Sequence, residues 1–431
     1  MKICFTGDLI MLSPPTNEYW TNNRIIEFLK SCDVRCGNLE MVLSGDTTFA
    51  STFCGGQWVT TSPDRLNLIK KFGYDYLNTA NNHTMDFSYL GMQYTNKLLD
   101  EHGLLHTGSG DSLEEASEPA YLTRDGLKIA FIICTASCDD AARAGDPVHN
   151  IPPRPGVSML RHSEDLYVTP EYLALIDQIA EMTCINARFL KAVRMGIHSL
   201  SPDIHRLGRL QFKEGTRCYK HSHCNKRDLK RIKDSIELAK RKGADLVFIS
   251  VHSHDIKGMT DDTADYYLEE FAHECIDSGA SAIIGTGTHQ LKGIELYKGK
   301  PIFYSLGNFL FASELIEYAP ADYYERYGID SNITPEEFYN IRSKNGTIGL
   351  ERDPYNYRSI IPVLSYDADG ELTDLSLRPI ELGFSSGNCD RGFPLLAEED
   401  VCDEIYSRLK TLSDEYGTGI EMNRDVIRIP V

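Results

Sequence analysis

Short apolar runs rich in β-branched and aromatic residues alternate with amphipathic segments of helical spacing along most of this chain. The alternation holds over the first 135 residues and resumes at residue 226, which predicts an α/β fold. The strand-like runs cover residues 2–6, 33–39, 76–80, 120–133, 246–251, 282–284 and 291–306. The helical segments cover residues 24–31, 65–72, 89–102, 227–242, 265–278 and 398–413.

Residues 139–225 break this rhythm. The stretch opens with a proline-rich segment at 152–156 and holds one helical pattern, at 170–182. A connection this long usually has its own structure or a function, so we expect an inserted cap over the strand ends. The predicted domains are therefore 1–344, with 139–225 as its cap, and 345–431, a strand-rich stretch and helix packed on the same domain.

Five strand-like runs end in side chains that can ligate a cation or move a proton. In chain order these side chains are Asp8, Glu40, the pair Asn82 and His83, the pair His252 and His254, and His289. Ligands of α/β sheets gather outside the carboxyl ends of the strands. The pattern therefore predicts that segments distant in sequence share one site.

Composition narrows the class of protein. The 431 residues are 42% hydrophobic, which is enough for a large core, and the net charge of −19 argues against a nucleic-acid partner. No stretch reaches the roughly 20 apolar residues of a membrane helix, and no basic-then-apolar leader opens the chain. We therefore expect a cytoplasmic protein without a membrane span. Its twelve cysteines, several of them within apolar runs, are expected to be reduced.

The polar motifs resemble those of the CapA-like proteins, which are named for capsule and poly-γ-glutamate biosynthesis. The matching segments are residues 7–11, 37–40, 80–83 with Asp86, 251–252, 285–290 and 304–309. The resemblance covers residues 1–135 and 226–311. It implies the calcineurin-like metallophosphoesterase fold, a four-layer αββα sandwich with a metal site at the strand ends.

The resemblance also implies roles for individual residues. Those assigned to the metal are Asp8, Glu40, Asn82, His252 and His289, while His83 would be the catalytic residue that transfers a proton. Asn81, Asp86 and Asn308 would support the site structurally. The implied cofactor is one or two divalent ions, with Mn, Zn or Fe favoured by carboxylate, amide and imidazole ligands.

Two motifs differ from the superfamily pattern. Leu9 and Ile10 follow Asp8 where the superfamily has Asp-x-His, a change that is typical of CapA-like proteins. The last motif has Gly287 where the superfamily has the first histidine of His-Pro-His. His254 could replace that imidazole, since side chains at i and i+2 of a strand point the same way. The number of ions stays open between one and two.

Other interpretations compete with the metal site. Asp8 could cap a turn, Glu40 could pair with a surface cation, and His254 could be a histidine without a ligand role. A separate zinc site is also conceivable at Cys218, His221, His223 and Cys224. That site is disfavoured, because four ligands within seven residues do not easily close a tetrahedron.

The leading functional hypothesis is a metal-dependent hydrolase that acts on a peptide or γ-glutamyl amide, or on a phosphate ester. One alternative is a metal-dependent peptide epimerase, in which one group removes an α-proton and another returns it. A second alternative is a non-enzymatic accessory subunit of a polymer-synthesising complex. The sequence leaves the substrate and the oligomeric state undecided.

Overall fold

The computed structural model describes residues 1–21, 23–385 and 390–431, which form a mixed α/β structure with several sheets. In the described residues the strands are β1 (Lys2–Met11), β2 (Val34–Leu39), β3 (Tyr76–Asn78), β4 (Leu105–Thr107), β5 (Ser109–Gly110), β6 (Ala120–Arg124), β7 (Leu127–Thr135), β8 (Gly156–Val157), β9 (His162–Val168), β10 (His205–Leu207), β11 (Leu210–Glu214), β12 (Tyr219–Cys224), β13 (Leu246–Ser253), β14 (Ala282–Gly287), β15 (Ile294–Tyr297), β16 (Lys300–Phe303), β17 (Asn308–Ala312), β18 (Arg358–Tyr366), β19 (Leu372–Glu381), β20 (Leu395–Leu396), β21 (Glu421–Asn423) and β22 (Val426–Ile429). The helices are α1 (Asn17–Thr21), α2 (Arg24–Lys30), α3 (Arg65–Ile69), α4 (Ser88–Glu101), α5 (Leu113–Ser117), α6 (Pro170–Thr183), α7 (Ala187–Arg194), α8 (Lys226–Arg241), α9 (Tyr266–Asp277), α10 (Ala321–Tyr327), α11 (Pro335–Arg342) and α12 (Glu399–Asp414).

The largest sheet is ordered β21-β22-β19-β18-β1-β2-β3-β4, and β17 also pairs with β1. Strands β1 to β4 run parallel, so their carboxyl ends meet at one edge. β1 extends past the end of the predicted run, because its second half pairs with β17. Its first residues pair with β18. Asp8 therefore lies inside β1, opposite Asn38 of β2 and Asn308 of β17.

The second large sheet is ordered β15-β16-β14-β13-β7-β6, with β7, β13, β14 and β16 parallel. The two large sheets share an apolar core. Phe5 of β1 lies 5.0 Å from Phe248 of β13 between ring centroids, and Tyr76 of β3 stacks on Phe131 of β7 at 4.2 Å. This packing places the carboxyl ends of the parallel strands of the two sheets near each other.

Helices cover the outer faces. Apolar side chains of α2 and α3 pack in one core with residues of β1, β2 and β3. Those of α8 and α9 pack in another with residues of β7 and β13. In the described residues no helix combines the length and the apolar character needed to cross a membrane.

The insertion forms a small sheet of its own, ordered β10-β11-β9-β12, with α6 and α7 beside it. Its strand β12 lies against α9, where the Tyr267 backbone N–H donates to Ser222 Oγ at 3.0 Å. The predicted helix at 170–182 is present as α6.

One element differs from its prediction. Residues 345–357, expected to be strand-rich, form 3₁₀ turns at Leu350–Arg352 and Pro354–Tyr357 before β18 begins. Pro354 lacks an N–H for a sheet, and the Asp353 side chain accepts from the Tyr355 backbone N–H at 2.9 Å, which favours a helical turn.

Candidate metal centre

Asp8 is held at the centre of the site by donors from both large sheets. Asn38 Nδ2 donates to Asp8 Oδ1 at 2.7 Å, and the Gly287 backbone N–H donates to Asp8 Oδ2 at 3.0 Å. Burial raises the pKa of Asp8, while His289 and these two donors oppose the rise. The side chain is fully buried, so it does not cap an exposed turn.

Glu40 follows β2 and is fully buried, yet neither of its carboxylate oxygens has a hydrogen-bond partner among the described residues. Oε1 lies 3.4 Å from His252 Nε2 and 4.0 Å from His254 Nε2. Burial, and next the nearby Asp8 charge, raise the pKa of Glu40 well above its ordinary value. A bare buried carboxylate is costly, and a bound cation would offset that cost.

The three histidines converge on these carboxylates. His252 Nε2 and His254 Nε2 are 3.2 Å apart, and His289 Nδ1 is 3.9 Å from Asp8 Oδ2. Burial lowers the pKa of each imidazole. Neutral imidazoles facing one another beside carboxylates are the donor set that first-row divalent metals prefer.

These residues form two groups that share Glu40. Within each group the ligand atoms lie within 4.8 Å of one another. One group is Glu40, His252 and His254, and the other is Asp8, Glu40 and His289. The donor types, and Glu40 oxygens that lack a hydrogen-bond partner among the residues described, fit a divalent cation, so the residues present suit the cofactor predicted from the sequence.

The backbone at Gly287 disfavours any side chain at this position of the last motif. Its φ of +121° is one that side-chain-bearing residues rarely adopt. A Cβ there would lie 2.5 Å from the Ser253 carbonyl oxygen. His254, from the neighbouring strand end, brings its ring to the same cluster instead.

His83 lies beside the carboxylates and is oriented by Asp86. Its Nδ1 is 2.7 Å from Asp86 Oδ2, and its Nε2 is 3.9 Å from Glu40 Oε1. Asp86 also accepts from the backbone N–H groups of Gly55 at 2.9 Å and Val59 at 2.8 Å. Burial raises the pKa of Asp86, and His83 and both backbone donors counteract it.

Three asparagines shape the surroundings. Asn82 Oδ1 lies 2.8 Å from His252 Nε2, while Asn82 Nδ2 donates to the Gly55 carbonyl at 2.9 Å. Asn81 Nδ2 donates to the Leu39 carbonyl at 2.8 Å, which ties the loop after β3 to β2. Asn308 Oδ1 lies 2.8 Å from His289 Nδ1.

A cavity of about 450 Å³ opens onto the site. His83, His254 and His289 line its floor, and residues from 311–351, among them Tyr323 and Arg342, form much of its wall. None of the described residues of 139–225 lines it. Much of the wall comes from the segment that carries α10 and α11, two helices that the sequence pattern did not predict.

Sequence reasoning also missed Asn38 and Thr286 as contacts of the site. Asn38 Nδ2 is 3.2 Å and Thr286 Oγ1 is 3.0 Å from His252 Nδ1. Asn38 lies inside the 37–40 motif, so that motif was the signal that could have revealed it.

Arg342 reaches the cavity from α11 and is paired with Glu351 at 3.2 Å.

The alternative zinc cluster does not assemble. Among the described residues, Cys218, His221, His223 and Cys224 form no group with metal-ligand spacing. The Cys224 thiol donates to the Tyr267 carbonyl at 3.2 Å, and His223 is directed to Asp165.

Comparison with known proteins places this sequence in a family. The sequence model described as "Bacterial capsule synthesis protein PGA_cap" matches residues 2–313. The chain therefore belongs to the PGA_cap family.

Several curated relatives extend this match. The uncharacterized protein y4sH of Sinorhizobium fredii is 31% identical over 430 residues, covering 96% of this chain and 89% of that protein. "Capsule biosynthesis protein CapA" of Bacillus anthracis is 23% identical, covering 72% of this chain and 60% of its own length. "Probable polyglutamine synthesis accessory protein MT0602" of Mycobacterium tuberculosis is 23% identical, covering 64% of this chain and 55% of its own length.

Proposed function

We propose that this protein is a metal-dependent hydrolase of the PGA_cap family that acts on a peptide or γ-glutamyl amide, or on a phosphate ester. The observation that supports this most is Glu40, whose two oxygens are buried among three imidazoles and a second carboxylate with no hydrogen-bond partner in the described part of the chain. A purely structural carboxylate at that depth would be expected to accept hydrogen bonds.

The residues that would hold one or two ions are Asp8, Glu40, Asn82, His252, His254 and His289. Asn82 joins this set because its Oδ1 faces His252 Nε2. When bound, a divalent ion there supplies Lewis acidity to a carbonyl or phosphoryl oxygen and lowers the pKa of a water.

His83 is the residue placed to move a proton. Because an ionised carboxylate only accepts, the contact with Asp86 holds the His83 proton on Nδ1 and leaves Nε2 free toward the carboxylates. Nε2 can then take a proton from the attacking water and return it to the leaving group.

Metal analysis and activity assays test the proposal together. After chelation and readdition of Mn, Zn or Fe, we expect bound metal and hydrolysis of γ-glutamyl peptides or an aryl phosphate to return together. Glu40→Gln should lose the metal, whereas Glu295→Gln should keep it, since Glu295 pairs with His273 and Tyr304 outside the cluster. Equal metal content in both variants would refute the metal assignment.

An epimerase is the second candidate, because His83 and Tyr323, neither of them assigned to the metal, line the same cavity from different elements. Two such groups could remove an α-proton and return one on the other face. Deuterium incorporated from D2O into an uncleaved peptide would favour this reaction, and cleavage products would favour hydrolysis. A metal-loaded chain with neither activity would favour the accessory role that the name of the mycobacterial relative states.

The fold-level proposal is a four-layer αββα sandwich comprising 1–344, with 345–431 part of the same domain. The shared core between the sheets and the helices on both outer faces support it. Pairing of β18 with β1 supports the inclusion of the last segment.

A further inference from the structure

Helix α6 exposes a stripe of large apolar side chains along one face. The α6 stripe consists of Tyr172, Leu175, Ile179 and Met182, which are 51%, 47%, 49% and 77% exposed. Leu173 and Ala180, on another face of the helix, are buried. The stripe follows the i, i+3, i+7, i+10 spacing of a coiled-coil seam, which suits another helix as the covering element.

Further large apolar side chains are exposed along the chain beyond α6. The large apolar residues exposed in or beside α7 are Ile185, Leu190, Met195, Ile197 and Leu200. Single exposed apolar residues need no explanation, but a concentration of this kind marks an interaction surface.

Charged residues of the two helices separate by sign, although Asp177 is already paired with His205 of β10 at 2.7 Å. Helix α6 carries Glu171, Asp177 and Glu181, and no Lys or Arg occurs between residues 170 and 187. Helix α7 carries three basic residues, and no Asp or Glu occurs between residues 182 and 202. Helices that lie on anionic lipid carry Lys and Arg on the polar face, which α7 does and α6 does not, so the α6 stripe itself does not suit a membrane as its occupant.

We propose that the α6 stripe pairs with the α6 stripe of a second copy, antiparallel about a two-fold axis. A two-fold interface must be complementary to itself, and acidic α6 with basic α7 provides both halves within one chain. Pairing Leu175 with Ile179 of the second copy sets Glu171 opposite Thr183, four residues before the second copy's α7 begins at Ala187. In this orientation the acidic start of α6 faces the end of the helix from which the basic α7 of the second copy follows, and Arg188 is the first basic residue there.

A stable dimer interface requires more buried surface than α6 alone provides. Its 14 residues span about 21 Å, whereas a stable interface buries about 800 Å² on each partner. The proposed interface therefore includes residues of α7 and of 195–200.

Light scattering coupled to size exclusion, at several concentrations of the full chain, tests the pairing. We expect twice the chain mass of 48.5 kDa. Met182→Glu and Ile179→Glu should weaken dimerisation at least about tenfold. Met259→Glu is the matched control, because Met259 is 99% exposed and lies outside the insertion.

A charge exchange tests the orientation. Glu171→Arg and Arg188→Glu should each weaken the dimer, and the double variant should restore it. A wild-type monomer at every accessible concentration, or a dimer insensitive to Met182→Glu, would overturn the proposal. Failure of the double variant to restore dimerisation would overturn the antiparallel arrangement, and stripe-dependent binding to phosphatidylglycerol vesicles by a monomer would assign the surface to lipid. None of these outcomes depends on the metal centre.

Discussion

Asp86 determines which ring nitrogen of His83 faces the site. The two side chains are three residues apart in one turn, and two backbone N–H groups hold the carboxylate in place. The sequence suggested both residues from a single motif. Their division of roles depends on the 2.7 Å contact between Nδ1 and the carboxylate.

Asp86→Asn should leave metal content unchanged and reduce turnover by about 10²–10⁴-fold, because an amide no longer fixes the tautomer. The ¹⁵N shifts of the His83 ring should show the change of tautomer even before a substrate is known. Asp353→Asn is the control, since it too alters a carboxylate that accepts a backbone N–H but lies on a 3₁₀ turn. Unaltered His83 shifts in Asp86→Asn would contradict this role.

Lys292 is a second residue whose burial has a measurable consequence. It is 1% exposed, its Nζ donates to the Asp255 carbonyl at 2.9 Å, and burial lowers its pKa to about 8. The unfolded pKa is about 10.4, so both states are protonated below pH 8 and the cost of the buried charge is constant there. Between about pH 8 and 10.4 only the unfolded state keeps the proton, so this group makes stability rise with pH.

Lys292→Met should therefore raise the free energy of unfolding at pH 7 by roughly 1–3 kcal/mol, the gain being reduced by the carbonyl left unpaired. The advantage over wild type should shrink as pH rises to 10. Urea denaturation of both proteins at the two pH values measures this difference. A constant difference across the range would show that Lys292 is not the group responsible.

At the scale of elements, β1 shows how strand pairing extends beyond a local pattern. Apolar periodicity predicted only residues 2–6, yet β17 pairs with the second half of β1 and carries the strand through Asp8 to Met11. The two backbones come close at Gly7, where a Cβ would lie 1.8 Å from the Gly307 carbonyl oxygen. No shift of a flexible side chain can relieve that contact.

Gly7→Ala should destabilise the protein by about 3 kcal/mol, because β1 and β17 would have to separate beside Asp8. Gly419→Ala provides the control, since a Cβ there has nothing within 4 Å. Chemical denaturation midpoints of the two variants give the comparison. Equal midpoints would mean that the strands move apart at little cost.

At the scale of the whole molecule, the candidate centre joins the two large sheets. Asp8 and Glu40 come from the sheet that contains β1, whereas the three imidazoles come from β13 and from the loops after β13 and β14. A cation bound by both sets would bind the folded chain and not the unfolded one.

Metal should therefore raise Tm. At a hundredfold excess over Kd the stabilisation is about 2.7 kcal/mol, which corresponds to a rise of several degrees. Scanning calorimetry of chelated and metal-loaded protein measures it, with Glu40→Gln as the variant that should show no rise. An identical rise in that variant would place the ion elsewhere.

The sequence by itself determined most elements and the polar residues at the strand ends, because side-chain periodicity and turn residues act locally. Helices α4, α8, α9 and α12 match their predicted segments to within about one residue at each end. The family match follows from the same local motifs.

Only the tertiary structure decided how these residues combine. The neighbouring backbone of Ser253 leaves no room for a side chain at Gly287, and packing of the sheets brings His254 within 4.0 Å of Glu40. Residues from 311–351 form much of the cavity wall, and none of the described residues of the insertion does. That wall joins His83 to residues more than 200 positions further along the chain, and no local pattern records such contacts.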